Sequence, residues 1–262
     1  MVLNKYYIVL FFVLFFVLFF AINICLKYKE FFTSNTSKNN YLYTAVIVEP
    51  REHPAFEFVM TNFLNNLNDD WGFIIFHGNK NEEYVNNIIN TKLLKFKNKI
   101  TLKKLDVDNL TVSDYSKLLV SKSFYDGIPT ETFLIFQTDT LICGEYKDLI
   151  NEFIKYDYIG APWINRGVGN GGLSIRKKTK MLEIINKCPY EGEPEDVYFA
   201  ESCPNIYRNK PSFEKAKTFS VENVYNEVSF GIHKAWLLLD NKQLSAKNNR
   251  CKGLKQLKKL NS

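Results

Sequence analysis

Residues 132–140 read TFLIFQTDT, in which the largely apolar run 132–136 turns polar at Gln137. A run of this kind is typical of a strand that is buried on both faces of a parallel sheet. In open α/β sheets, ligands bind outside the carboxyl ends of the strands. Asp139, which lies just beyond the run, is therefore a candidate site residue. A turn-forming role at the strand end is the alternative.

Segments on either side of this run alternate between short β-branched or aromatic stretches and longer amphipathic ones. This alternation predicts βαβ units, and with them an α/β fold built on a mainly parallel, Rossmann-like mixed sheet. The predicted strands are 43–49, 72–77, 99–105 and 132–136, and the short segments 158–163 and 169–176 complete the core. The predicted helices are 56–67, 82–94, 112–128, 147–156 and 177–187, and Ser113 is the predicted N-cap of the third. Together they place a single domain over residues 43–240.

The composition suits one folded domain, because 46% of the 262 residues are hydrophobic and the chain holds 22 Phe and 15 Tyr. This excludes disorder for most of the length. The formal net charge of +6 comes from residues 241–262, which carry Lys and Arg but no acid. The charge of the domain therefore does not favour nucleic-acid binding. Residues 241–262 are predicted to form a solvated, partly helical basic tail, with a lipid or nucleic-acid contact as the alternative.

A hydrophobic segment precedes the domain. Residues 6–26 read YYIVLFFVLFFVLFFAINICL without a charge, and as a helix they would span roughly 31 Å, about one hydrocarbon thickness. We predict a transmembrane signal-anchor here, behind a short tail of residues 1–5. A cleaved signal peptide is the alternative, but the run exceeds the usual ~7–15 apolar residues and no A-x-A site follows.

The polar segment 27–42 is predicted to be a stem between this span and the domain. Charges flank the span almost symmetrically, so they do not decide its orientation. Glycosylation sequons at Asn35 and Asn109 suit a lumenal domain. We therefore expect a single-pass, type II membrane protein with its folded domain in the lumen of the secretory pathway.

The five cysteines lack the spacing of a metal site, and Cys25 lies within the hydrophobic segment. A lumenal location would permit a bridge between Cys188 and Cys203 or a similar pair. Free buried thiols are the equal alternative.

Six motifs follow one another between residues 133 and 236. They read FLIFQTDT, YDYIGAPW, GNGGLSIR, EPEDVYFA, FSVE and GIHKAW. In this order they resemble a GT-A-like glycosyltransferase family of unknown function, whose members share QTD, GAPW, NGGLS, ED and HKAW signatures. The resemblance implies a GT-A-like fold and a membrane-anchored enzyme that transfers a sugar from a nucleotide-sugar donor, foremost a UDP-sugar, to a glycan or protein acceptor.

The resemblance also implies a divalent metal ion, Mn²⁺ or Mg²⁺, beside the donor diphosphate. Asp139 matches the final acid of the D-x-D metal motif, and His233 matches a histidine that such enzymes bring to the metal. A neutral imidazole is a good ligand beside carboxylate and phosphate oxygens. His233 is predicted to lie on a loop after the last core strand, where a surface histidine bonded to backbone is the alternative.

Gln137 departs from the motif, because it stands where the first acid of D-x-D would stand. A non-catalytic, membrane-tethered binding or scaffold domain that keeps the glycosyltransferase-like fold is therefore the alternative function.

Glu195 and Asp196 lie at the start of a short predicted helix, where an acid favours the helix dipole. By resemblance, Asp196 is the general base that accepts the proton of the attacking acceptor hydroxyl, and Glu195 is its orienting neighbour. Inversion and retention at the sugar both stay open.

The other candidates would bind the donor or substrate. Arg51 and His53 follow the first strand, where GT-A folds grip the nucleotide. The glycines of GNGGLSIR let backbone approach a ligand closely, although a plain hairpin turn is the alternative. Trp163 could stack on a sugar face, with core packing as the more common fate. The predicted donor- or substrate-binding residues are Arg51, Gln137, Thr138, Trp163, Asn170, Gly171 and Gly172.

Overall fold

The structure, a computed structural model, describes residues 41–262. The predicted N-terminal tail 1–5, the predicted transmembrane segment 6–26 and nearly all of the predicted stem 27–42 lie outside the described residues. Within residues 41–262, no helix combines the length and apolar character that a membrane crossing needs.

A six-stranded mixed sheet with the order β3-β2-β1-β4-β9-β6 forms the centre of the domain. Strands β1 to β4 run parallel, whereas β9 is antiparallel to both β4 and β6. The prediction of an α/β fold with a mixed sheet is thus confirmed. The six strands are β1 Tyr43–Val48, β2 Trp71–His77, β3 Ile100–Lys104, β4 Thr132–Phe136, β6 Tyr158–Ile159 and β9 Leu173–Lys177.

Apolar side chains cover both faces of this sheet. Along β1, Ala45 and Ile47 belong to one buried cluster, while Val46 and Val48 belong to the other. Successive side chains of a strand point to opposite faces, so a strand covered by helices on both sides must be apolar throughout. The helices that cover and connect the strands are Phe56–Asn66, Glu82–Thr91, Val112–Leu119, Lys122–Asp126, Lys178–Lys187, Glu195–Ala200, Phe213–Lys217, Asn241–Arg250 and Leu254–Leu260.

Two small sheets lie outside the central one. The first has the order β10-β11-β5, and in it His233 pairs with Thr140. His233 therefore ends a strand and does not lie on a loop, because Gly231 and Ile232 continue the ladder against Ile142 and Leu141. The strands of the small sheets are β5 Thr140–Ile142, β10 Ser220–Val221 and β11 Gly231–His233, and β7 Pro162–Trp163 with β8 Gly167–Val168.

Two predicted helices and the segment 158–163 differ from the expectation. The predicted helix 112–128 is two helices, since Thr111 and Ser121 each cap a new N-terminus with their side chains and Ser113 caps neither. The predicted helix at 147–156 is instead a 3₁₀-helix, Gly144–Glu152. The segment 158–163 divides between two sheets. The remaining 3₁₀-helices are Leu94–Lys99 and Ala235–Leu237.

Residues 241–262 do not form the solvated tail that their charge predicts. They form two helices, and Cys251, Leu254 and Leu257 are buried in the main core. The apolar side chains fall on one helix face, so the Lys and Arg residues solvate the other. The folded unit therefore runs from Tyr41 to Ser262.

Two disulfides resolve the open question of the cysteines. One joins Cys143 to Cys251 and so ties the C-terminal helices to the segment after β5. The other joins Cys188 to Cys203, which is the pair singled out from the sequence. Cys25 lies outside the described residues.

Candidate active site

A cleft of about 380 Å³ opens at the carboxyl ends of β1 and β4. Its position is the one that open α/β sheets use for ligands. Polar side chains from distant parts of the chain converge on it. They include Glu49, Arg51, Tyr115, Ser116, Gln137, Thr138, Asp139, Asn170, Glu195, Asp196, His233 and Lys234.

Asp139 and His233 face one another in this cleft. The Oδ1 atom of Asp139 lies 3.3 Å from Nε2 of His233, yet both atoms are buried and neither makes a hydrogen bond. Burial raises the pKa of Asp139, but His233 and the ammonium of Lys234 outweigh it and hold that pKa below its usual value. Burial lowers the pKa of His233, and the carboxylates of Asp139 and Glu222 more than reverse this.

The other ring nitrogen of His233 is held by Asn170. The Oδ1 atom of Asn170 lies 2.8 Å from Nδ1 of His233 and also accepts a hydrogen bond from the backbone N–H of Gly172. The Nδ2 atom of Asn170 donates to Glu222 over 3.0 Å, which fixes the amide orientation. Asn170 thus accepts from Nδ1–H. In the neutral imidazole Nε2 then directs its lone pair at Asp139, and in the protonated ring Nε2 directs a proton at it. Partners of this kind commonly fix the tautomer of metal-binding histidines.

This arrangement fits a cation between Asp139 and His233. A carboxylate oxygen and an imidazole lone pair repel each other unless a positive charge lies between them. Neighbouring ligands of an octahedral ion with bonds of ~2.1 Å stand about 3 Å apart, close to the observed 3.3 Å. Among residues 41–262, no group of three or more His, Cys, Asp or Glu side chains could hold a metal ion. Further ligands would have to come from a bound substrate or water.

Asp196 lines the same cleft from the start of the helix Glu195–Ala200. Its Oδ2 atom accepts from the backbone N–H of Gly171 at 3.1 Å, and its Oδ1 atom accepts from that of Val197 at 2.8 Å. These bonds fix the carboxylate. An ionised carboxylate has about four acceptor positions, so lone pairs remain for a hydroxyl in the cleft.

Glu195 is committed to a different partner. Both of its carboxylate oxygens accept from Arg176, at 2.6 and 3.0 Å, and the guanidinium is completely buried. Burial opposes the charge of Arg176, but the carboxylate of Glu195 outweighs burial and raises the pKa of the guanidinium. This pair anchors the first turn of the helix that carries Asp196.

The glycines of GNGGLSIR make room for side chains of the site. A Cβ atom on Gly172 would collide with the imidazole of His233, and one on Gly171 would collide with Glu195 and Asp196. The ring of Trp163 fills the space beside Gly169 and lies under the guanidinium of Arg166 at 4.9 Å. Trp163 does not line the cleft, so the structure does not bring it together with the other candidates.

Arg51, Gln137 and Thr138 lie where the sequence predicts, at the ends of β1 and β4. Arg51 donates to both oxygens of Glu49 at 2.8 and 2.9 Å, and Thr138 donates to the same carboxylate at 3.4 Å. The wall of the cleft is thereby connected across two neighbouring strands. His53 donates no side-chain bond to this wall; its ring accepts from the backbone N–H of Ala55.

Sequence reasoning missed six residues of the site: Glu49, Tyr115, Ser116, Arg176, Glu222 and Lys234. Glu49 follows a buried strand as Asp139 does, so the same rule would have found it. Glu222 follows the short strand β10, which was not predicted. Lys234 has a left-handed backbone with φ of 34°, which is uncommon for a residue other than glycine. No local signal identifies Arg176.

One known family matches the part of the chain that holds the cleft. The profile of a family described as "Protein of unknown function (DUF5672)" matches residues 99–233, which is more than half of the chain. The chain belongs to this DUF5672 family. The match covers Asp139, Asp196 and His233 and thus most of the cleft. No curated protein gives a significant match.

Solved structures similar to this DUF5672 protein include a nucleotide-bound protein and two glycosyltransferases. HddC from Yersinia pseudotuberculosis, complexed with GMP-PN, is 13% identical with a TM-score of 0.45, over 79% of this chain and 99% of that one. The glycosyltransferase GlyE of Streptococcus pneumoniae TIGR4 is 11% identical with a TM-score of 0.49, over 85% and 63%. Mannosyltransferase PcManGT from Pyrobaculum calidifontis, in complex with GDP-Man and Mn²⁺, is 12% identical with a TM-score of 0.49, over 67% and 55%. Likenesses this low do not bear on the reaction of this chain.

Proposed function

We propose that this protein is a glycosyltransferase that moves a sugar from a nucleotide-sugar donor, foremost a UDP-sugar, to a glycan or protein acceptor. One observation carries the proposal. A cleft at the carboxyl ends of the central strands holds two ligand atoms that face each other without a hydrogen bond, Asp139 Oδ1 and His233 Nε2, together with a fixed carboxylate, Asp196. Transfer from a nucleotide sugar needs both a site for a leaving diphosphate and an acceptor for a proton.

Asp139 and His233 would hold the divalent cation, Mn²⁺ or Mg²⁺. Such an ion stabilises the negative charge that develops on a departing nucleoside diphosphate. Asn170 and Glu222 hold the imidazole in the tautomer that this role needs. Gln137 lies beside Asp139 and supplies an amide in place of a second carboxylate, so the site would bind the cation with one charged side chain.

Asp196 would act as the general base. A sugar hydroxyl has a very high pKa and must lose its proton while its oxygen attacks the anomeric carbon. Asp196 is exposed to the cleft and fixed by two backbone N–H groups. Glu195 is less suited to this task, because its negative charge is neutralised by the buried guanidinium of Arg176. Its role would be to hold the helix that positions Asp196.

We also propose that residues 6–26 anchor the protein in a membrane as a type II span, with the domain in the lumen of the secretory pathway. The uncharged run of 21 residues supports this, and so do two disulfides, which persist in oxidising compartments. Protection of the domain from protease in sealed membranes tests it. Digestion of the domain before the membranes are opened would contradict it.

A donor panel tests the proposed function. The full chain, solubilised in detergent, is incubated with UDP-, GDP- and other nucleotide sugars in the presence of Mn²⁺, Mg²⁺ or a chelator, and released nucleotide is measured. We expect one donor to be hydrolysed slowly in water and faster with its acceptor. Binding of a nucleotide sugar without any turnover would instead establish the non-catalytic alternative. No binding of any donor would refute both.

Replacement of the proposed base should act on transfer alone. We expect Asp196→Asn to lower kcat for transfer by about 10²-fold or more, with little change in the KM for the donor, because a base acts in the transition state. The asparagine keeps the size of the side chain, but only its oxygen can accept, so one of the two bonds from the backbone N–H groups of Gly171 and Val197 is lost. Initial rates over a grid of donor and acceptor concentrations separate the two constants. Transfer at the wild-type rate would place the base elsewhere.

A further inference from the structure

A second cavity, of about 550 Å³, lies at the far end of the helix Glu195–Ala200. Its lining combines three basic side chains with a single carboxylate. The lining residues are Arg166, Ala200, Glu201, Pro204, Ile206, Tyr207, Arg208 and Lys210. A concave surface with this excess of positive charge attracts anions.

Arg208 is the residue that points to a ligand. Its Nη1 atom donates to the backbone oxygens of Cys203 and Ile206, at 2.9 and 3.1 Å. Its Nε and Nη2 atoms are buried and have no hydrogen-bond partner. Among residues 41–262, no carboxylate forms an ion pair with Arg208. A buried, charged donor without an acceptor is costly, and Nε with Nη2 forms the fork that binds a carboxylate or phosphate through two parallel bonds.

The two other cations are placed to assist. Lys210 donates to the backbone oxygens of Val168 and Ala200, at 3.3 and 2.9 Å, which fixes its ammonium at the cavity wall. Arg166 stacks on Trp163 and pairs with Glu201 at 2.5 Å. Because Glu201 neutralises only one of the three basic groups, the cavity keeps an excess of two positive charges.

The position of the cavity relates it to the cleft. Ala200 lines the cavity and ends the helix that begins with Glu195 and Asp196. A helix of six residues is roughly 9 Å long, about the length of two sugar units at most. A chain that presents a hydroxyl to Asp196 and extends by about the length of this helix would therefore reach the cavity that Ala200 and Arg208 line.

We propose that this cavity binds the oxyanion, a carboxylate or a phosphate, of an acidic sugar in the acceptor, so that the acceptor is an acidic glycan. That the ligand is an acceptor rests on the proposed function. The anion site itself does not depend on it. The Arg208 fork holds the oxyanion, and Lys210 and Arg166 supply further charge. The acceptor hydroxyl lies one to two sugar units away, at Asp196.

A binding experiment tests the anion site without any turnover. The full chain in detergent is titrated by calorimetry with glucuronate, glucose 6-phosphate and uncharged glucose at constant ionic strength. We expect both acids to bind and glucose to bind at least tenfold more weakly. Arg208→Gln should weaken binding of the acids about tenfold or more, and Arg208→Lys should restore part of it. The stronger of the two acids identifies the oxyanion.

Matched variants guard against a folding defect. Arg250→Gln removes an exposed arginine that pairs with Glu227 and should leave the titrations unchanged. Arg166→Gln, on the exposed side of the cavity, should weaken binding severalfold even if Arg208→Gln does not fold. Equal affinities for acid and glucose, or equal affinities of the acids for wild type and both cavity variants, would overturn the proposal.

Turnover then distinguishes the two proposals. With an acidic acceptor, Arg208→Gln should raise the acceptor KM about tenfold while donor hydrolysis in water stays unchanged. Failure of the wild type to hydrolyse any donor would refute the proposed function but not the anion site, which the titrations decide. Hydrolysis together with transfer only to neutral acceptors would refute the acidic acceptor alone.

Discussion

Asp139→Asn should lower the rate of sugar transfer about 100-fold or more, the usual effect of removing one group that stabilises transition-state charge. The variant keeps the size of the side chain and the backbone bond from Lys234 to Asp139, but it removes the carboxylate that, with His233, would hold the cation. Initial rates of transfer at saturating donor and Mn²⁺ measure the effect.

The same substitution should cost the fold a little stability in the absence of metal. The charges of His233 and Lys234 hold the pKa of Asp139 below its usual value, so the folded state favours the ionised carboxylate over a neutral side chain. An asparagine amide can still donate to Nε2 of His233, and we therefore expect a melting temperature only slightly below that of wild type. Asp148→Asn, at an exposed position of the 3₁₀-helix Gly144–Glu152, is the matched control for activity. Wild-type rates in Asp139→Asn would remove Asp139 from the site.

Glu195→Gln should reduce the free energy of unfolding by about 3–5 kcal/mol, because it leaves the charge of a buried arginine without its partner. Arg176 is 0% exposed and both of its terminal nitrogens bond to Glu195. For a domain of this size the loss corresponds to roughly 10 °C in melting temperature. Urea unfolding followed by fluorescence measures it.

A surface ion pair provides the control. Glu227→Gln breaks the exposed pair with Arg250 and should cost less than about 1 kcal/mol. Replacing both buried partners, as Arg176→Met with Glu195→Leu, should cost less than Glu195→Gln alone, since no charge is then left unpaired. If Glu195→Gln and Glu227→Gln unfold at the same urea concentration, the buried pair does not anchor the helix.

The rule that ligands bind at the carboxyl ends of sheet strands explains which parts of the site the sequence predicts. It identifies Asp139 because the apolar run of β4 ends clearly where the polar residues begin. Asp196 and His233 were predicted from the motifs. The rule could not reach Glu222, because β10 has only two residues and leaves no periodic signal. The pairing of Arg176 with Glu195 depends on how β9 packs against the helix Glu195–Ala200. The sequence of neither element predicts that packing.

Other expectations differed from the structure because the same sequence pattern can arise for two different physical reasons. Gly171 and Gly172 indicate that another group approaches the backbone closely. In the structure that group is a protein side chain in both cases, and no space is left there for a ligand. The basic composition of residues 241–262 indicates solvation, yet the spacing of Leu254 and Leu257 places apolar groups on one face. Charge describes the exposed face of a helix, and periodicity describes the buried one.

The C-terminal helices determine when the cleft can form during synthesis. Asn261 donates a hydrogen bond to the backbone oxygen of Thr138, 123 residues earlier, and the Cys143–Cys251 bond closes over 108 residues. Contacts of such long range form slowly because the loops between them must first close. All six strands of the central sheet precede β11 in the chain, and Asp139 can meet His233 only after β11 has followed. A chain that stops before β11 therefore holds every strand of the sheet but lacks one half of the Asp139–His233 pair.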